Sequence, residues 1–169
     1  MPELSRRVQT FTDSVIRRMT RINNMTPGSI NLSQGFPDFD PPQEILDALK
    51  EAAEHGPHQY SITFGAKNFR DALAEMYTKK FAREIDPEKE IVVTCGGTEA
   101  MMAAMMTVCN PGDKVAVFSP FYENYGADAI LSGADPVYVP LVPPDFHYDS
   151  EALERAFQAG AKALILCNP

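Results

Sequence analysis

From residue 90 onward the chain alternates short β-branched runs with helical stretches: 91–94, 99–108, 115–118, 122–131, 137–141, 151–158 and 163–167. Strands separated by whole helices cannot pair as hairpins, so this order predicts a mostly parallel α/β sheet with right-handed crossovers. The last run, Ala163-Leu164-Ile165-Leu166-Cys167, is apolar throughout and predicts a strand in the sheet interior. Natural domains rarely stop just after such a strand, and the expectation is that further polypeptide follows or that a partner covers the gap.

The first half is organised differently. Val8, Phe11, Val15, Met19 and Ile22 give a weak helical pattern that ends at Thr26-Pro27-Gly28, the reading for an arm packed on something else. Asp40-Pro41-Pro42 is expected to cap and open a helix with Ile45, Leu46, Leu49, Ala52 and Ala53 on its apolar side, closed by Gly56-Pro57. A further helix is predicted over 66–82 from the spacing of Phe69, Leu73, Met76, Tyr77 and Lys80, with Asp86-Pro87 as its stop. The proline-dense stretch 140–144 reads as a surface connection.

With 169 residues, 44% hydrophobic and 22% charged, the chain has the make-up of a soluble globular protein. A net charge of −8 repels phosphate backbones and anionic membranes, so neither nucleic acid nor a membrane is an expected partner. The N-terminus lacks a signal-like apolar stretch, which makes a cytoplasmic protein the expectation. Cys95, Cys109 and Cys167 have no C-x-x-C spacing and fit a reducing compartment without disulfide or zinc framework. His55 and His58 straddle Gly56-Pro57, which breaks the helix that would align them, so no metal site is expected; His147 is placed in a loop without a nucleophile to serve.

The sharpest local signal is Val92-Val93-Thr94-Cys95-Gly96-Gly97-Thr98-Glu99-Ala100, a strand that turns through two glycines into a helix. Glycines admit close backbone approach, first-turn N–H groups point outward, and the Thr98 hydroxyl adds a donor, which together suit a phosphate. The same residues also suit a plain tight turn. The helix behind, 101–108, is apolar nearly all round and is expected to be buried. Neither G-x-G-x-x-G nor G-x-x-x-x-G-K-[ST] occurs, which disfavours nucleotide folds.

Three further stretches carry a resemblance: Asn31-Leu32-Ser33-Gln34-Gly35-Phe36-Pro37-Asp38-Phe39, Gln59-Tyr60-Ser61-Ile62-Thr63-Phe64-Gly65, and Asn110-Pro111-Gly112-Asp113 followed by Ser119-Pro120-Phe121-Tyr122-Glu123-Asn124-Tyr125. In order and spacing, over about residues 30 to 169, they resemble the class I and II aminotransferases, fold type I of the pyridoxal-phosphate (PLP) enzymes. The wording Gln-Gly-Phe-Pro-Asp-Phe is most similar to the branch with glutamine/kynurenine, methionine and aromatic aminotransferases.

The resemblance implies a three-layer α/β/α fold with a mostly parallel sheet, an incomplete large domain. Residues 1–44 would be the arm and part of a small domain, and 45–169 the start of the PLP-binding large domain. It implies PLP as cofactor, amino acid and 2-oxo acid substrates, a place in amino acid metabolism and biosynthesis, and a homodimer. Gly97 and Thr98 would meet the PLP phosphate and Tyr122 the face of its ring. Tyr60 would reach the phosphate of the neighbouring subunit, and Gly35 the substrate carboxylate. By position alone Tyr122 reads as a core aromatic at the start of a helix, Tyr60 as a surface tyrosine in a loop and Gly35 as a turn glycine.

Asn168-Pro169 resembles the opening of Asn-Pro-x-Asn-Pro-x-Gly, whose second asparagine bonds the cofactor's phenolic oxygen. That asparagine, the carboxylate at the pyridine nitrogen, the Schiff-base lysine and the substrate-clamping arginine are expected beyond Pro169, so these residues alone are expected to be inactive. Lys67, Lys79, Lys80, Lys114 and Lys162 read as solvated side chains rather than catalytic amines. Two other functions share this front half: a carbon–sulfur β-lyase, and a non-catalytic remnant or ligand-binding module.

Overall fold

The structure, a computed structural model, describes residues 3–10 and 13–167. Phe11 of the leading pattern and the Asn168-Pro169 motif lie outside the described residues. After a 3-10 turn at Arg6–Gln9 come helices α1 (Val15–Asn24), α2 (Gln43–His55), α3 (Lys67–Phe81) and α4 (Gly96–Val108). Strand β1 (Lys114–Ser119), helix α5 (Asn124–Ser132), strands β2 (Asp135–Val142) and β3 (His147–Tyr148), helix α6 (Ser150–Gln158) and strand β4 (Ala161–Ile165) follow. The chain divides into two compact units, Met1–Ser14 with Thr94–Pro169, and Val15–Val93.

In the first unit the sheet order is β3-β2-β1-β4, with β1 parallel to both β2 and β4 and β2 antiparallel to β3. The period-two alternation of β1 sorts its side chains onto two faces. Val115 and Val117 join Met105 of α4, Ala129 of α5 and Ile165, while Ala116 joins Val139 and Ala156 of α6. A central strand buried on both faces between helix layers is the three-layer α/β fold that the resemblance implies.

Several expectations fail in instructive ways. Residues 91–94 form no ladder: Val93 N–H donates to Phe64 O at 3.0 Å, and no strand pairs with the segment among the described residues. The run 163–167 is strand only in part: β4 covers Ala161–Ile165, pairs only with β1 among the described residues, and leaves Leu166 exposed. Pro140 belongs to β2 opposite Ser119 rather than to a connection, and His147 lies in β3 opposite Val142. This short antiparallel partner makes the sheet mixed. Helix α4 buries only Met105, leaving Met106 and Val108 exposed, so its apolar surface exceeds what the described residues cover.

In the second unit, α2 starts after Pro42 without a side-chain cap, so Asp40 does not cap it, and Gly56 ends it as expected. Its apolar side stays exposed, with no buried residue. Helix α3 stops at Phe81, before Asp86-Pro87, because Ala82 turns left-handed and donates its N–H to Thr78 O. Arg70 of α3 is fully buried. It donates to Gly65 O (3.1 Å), Pro87 O and Glu88 (3.1 Å), tying the Ile62–Gly65 turn and the 86–90 segment to one helix. Gly65 has φ +103, and a Cβ there would lie 2.4 Å from Val93 Cγ2, so only glycine fits this crossing.

Candidate functional site

The glycine turn leads into α4 without a side-chain cap, since Cys95 at the N-cap offers no hydrogen bond to the helix. The first-turn N–H groups of a helix have no intrahelical acceptor, and here their end of the dipole is positive. Gly96 adopts φ +79, a left-handed turn that a side chain would strain. A Cβ at Gly96 or Gly97 would meet nothing within 4 Å. Packing within the chain therefore does not require these glycines to be small, and the space in front of their backbone is open to a ligand.

The cavity at this turn, about 330 Å³, is lined by Gly97, Thr98, Met101, Tyr122, Asn124, Tyr125 and Asp128. Residues 122–128 reach it because α5 packs against α4 on the same face of the sheet. Asn124 Nδ2 donates to Thr98 Oγ1 at 2.9 Å, so the hydroxyl accepts from the amide and keeps its own proton to donate outward. Tyr122 stands half-exposed just before α5, its ring edge-on to Tyr125 with centroids 5.7 Å apart. Burial first, and then the neighbouring Cys167, raise the Tyr125 phenol above its ordinary value and keep it neutral. Glu99 turns away from ligand duty, its carboxylate accepting the Cys95 N–H.

A second hollow of about 470 Å³ lies along the same helix pair, lined by Cys95, Thr98, Glu99, Met102, Asn124, Ala127, Asp128 and Leu131. Asp128 borders both cavities and is 3% exposed, and its Oδ2 has no hydrogen-bond partner among the described residues. Burial pushes its carboxyl pKa up.

Gly97, Thr98 and Tyr122 of the sequence reading thus line one cavity. Tyr60 and Gly35 belong to the other unit, where both are exposed; Tyr60 lines an open cleft with Pro57, His58 and Gln59. Asn124 and Asp128 were not among the expected site residues. The only sequence trace of Asp128 is a carboxylate in the otherwise small and apolar Gly126-Ala127-Asp128-Ala129-Ile130. Among the described residues no three His, Cys, Asp or Glu side chains gather as metal ligands, and no helix is long and apolar enough to cross a membrane.

The donor set fits a phosphate ester on an aromatic ring: N–H groups and a hydroxyl at one end, a tyrosine face at the other. Comparison with known proteins points the same way. The family model described as aminotransferase class I and II matches residues 27–169. A probable N-succinyldiaminopimelate aminotransferase of Mycobacterium tuberculosis is 37% identical over 165 residues, which are 96% of this chain and 41% of the relative. Kynurenine–oxoglutarate transaminase 3 of Mus musculus is 32% identical over 98% of this chain and 38% of its own length. The solved N-succinyldiaminopimelate aminotransferase of M. tuberculosis superposes with a TM-score of 0.87 at 35% identity, covering 99% of this chain and 44% of that one. An Escherichia coli structure whose title reports a methionine aminotransferase function gives 0.89 at 29% identity, covering 100% and 45%. The chain spans about two fifths of the length of the curated relatives it matches.

Proposed function

The chain belongs to the class I and II aminotransferases, and from that premise we propose that the protein carrying it moves an amino group between an amino acid and a 2-oxo acid with PLP as cofactor. The observation that carries the reading is the cavity at the start of α4, where Gly97, Thr98 and Tyr122 converge. PLP, when bound, supplies an electron sink for the bonds at the substrate's α-carbon.

The chain's own residues would hold and orient that group. The N–H groups of Gly97 and Thr98 and the Thr98 hydroxyl would take the phosphate, with Asn124 fixing the hydroxyl so that its proton faces the anion. Tyr122 would lie against the ring and set its tilt, a contact contributing about 1 kcal/mol. Tyr60, fully exposed in its own chain, would extend to the phosphate of a second copy in a homodimer, and the Gly35 backbone would meet the substrate carboxylate. In the same reading residues 1–44 form an arm and part of a small domain, residues 45–169 begin the PLP-binding domain, and the protein works in the cytoplasm in amino acid biosynthesis.

The test is product analysis with the whole protein, PLP, a panel of amino acids and 2-oxoglutarate. New 2-oxo acid matched by glutamate supports the reading. Ammonia and pyruvate from cysteine conjugates would make the protein a β-lyase instead, and no turnover of any donor would make it a binding module.

A further inference from the structure

Asp128 is a buried carboxyl at the cavity whose chemistry the proposed site does not use. Its Oδ2 is closed to solvent without a partner, and no ion pair reaches it among the described residues. It sits one helical turn beyond Asn124, whose amide holds the Thr98 hydroxyl, and it borders the cavities on both sides of that bond. Among the described residues that line the two cavities with it there is no compensating cation: Glu99 and Cys95 come from α4, Tyr125 from its own helix and Tyr122 from the segment before it, with Cys167 beside Tyr125. Arg7 of the 3-10 turn is engaged at the far end of α5, donating to Leu131 O at 3.1 Å.

An ionised carboxylate here would be a buried, unpaired charge next to the place where the phosphate would sit, and the two anions would repel. A protonated carboxyl has the opposite effect, because it adds an O–H donor to the first-turn N–H groups and the Thr98 hydroxyl. We propose that Asp128 works as a neutral carboxylic acid that donates a hydrogen bond to an oxygen of the phosphate ester held at the first turn of α4. The proposal rests on the reading of that cavity as the phosphate site. Asp128 is then a ligand-binding residue whose ionisation releases the anion, and the direction of its pKa shift agrees.

The test compares wild type with Asp128→Asn in the whole protein, using pyridoxamine 5′-phosphate as probe in equilibrium dialysis from about pH 5 to about pH 9. Asparagine keeps an N–H donor at every pH, and the probe's own phosphate titrates identically against both proteins. Wild-type affinity should fall about tenfold more than that of the variant as pH rises. Parallel pH profiles would overturn the proposal. Thr98→Ala separates the two levels: a loss of affinity at all pH values keeps the phosphate reading, whereas wild-type binding by this variant removes that reading and the proposal with it. Should Asp128→Asn fail to fold, infrared spectra of wild type carrying ¹³C-carboxyl aspartate decide. A carboxylic-acid carbonyl band at neutral pH that shifts on addition of inorganic phosphate supports the proposal, and its absence overturns it.

Discussion

In the unit built around Thr94–Pro169, Val115, Ala116 and Val117 are fully shut off from solvent by helices on both faces, whereas in Val15–Val93 the largest fully buried side chain is an arginine. The first unit is held by a strand core of ordinary apolar burial. In the second, Arg70 joins two loops to α3 through carbonyls and one carboxylate, while α1 and α2 bury nothing. A unit with an apolar core fixes its own geometry and can present a finished cavity. A unit stitched by one cation keeps its apolar surface outside.

The largest effect expected is from Arg70→Ala, which strands the Gly65 and Pro87 carbonyls and should cost about 3 kcal/mol, read by denaturant unfolding. Hydrogen exchange should speed up mainly within Val15–Val93; an unchanged midpoint would break the contrast. Val117→Ala should cost about 2 kcal/mol and loosen the sheet and α5 instead, because the hole opens between β1 and those helices. The pH dependence should differ in sign. Backbone and side-chain donors hold Asp86 and Glu90 below their ordinary values, so their stabilisation is present above the carboxylate range and lost as pH falls through it. Asp128 is raised by burial, so its contribution is complete below the ordinary aspartate value and is lost as pH rises. Thermal melts of Asp128→Asn should therefore gain on wild type as pH increases. Leu49→Gln is the smallest change: on an exposed face of α2 it should cost less than about 0.5 kcal/mol, and a clearly larger loss would mean that this face is covered.

How legible each part was follows from what fixes it. Helix α2 was readable because Gly56 and its neighbours punctuate a clear apolar period; α6 was readable only as a helical stretch over 151–158, and its cap, the Asp149 side chain accepting the Glu151 N–H at 2.9 Å, is seen in the structure alone. Strand β1 was readable because a run buried on both faces must be apolar throughout. Residues 91–94 have the composition of a strand, but a ladder needs a neighbour and composition does not name one. The same limit applies to 163–167, whose pairing is decided by which strands are present. At the site, Gly97 and Thr98 announced themselves as a local turn motif. Asn124 did not, because its partner Thr98 is 26 residues away. Arg70 and Asp128 were hidden for a related reason: charged residues on helices read as solvated, and only the packing of distant segments buries them.

The start of α4 is proposed to hold the phosphate of PLP. The most direct test of that role is the affinity of the whole protein for pyridoxamine 5′-phosphate against pyridoxamine, measured for wild type and Thr98→Ala. Wild type should prefer the phosphorylated compound by at least about tenfold, and Thr98→Ala should lose most of that preference. Equal affinity for the two compounds, or a preference untouched by Thr98→Ala, would contradict that role.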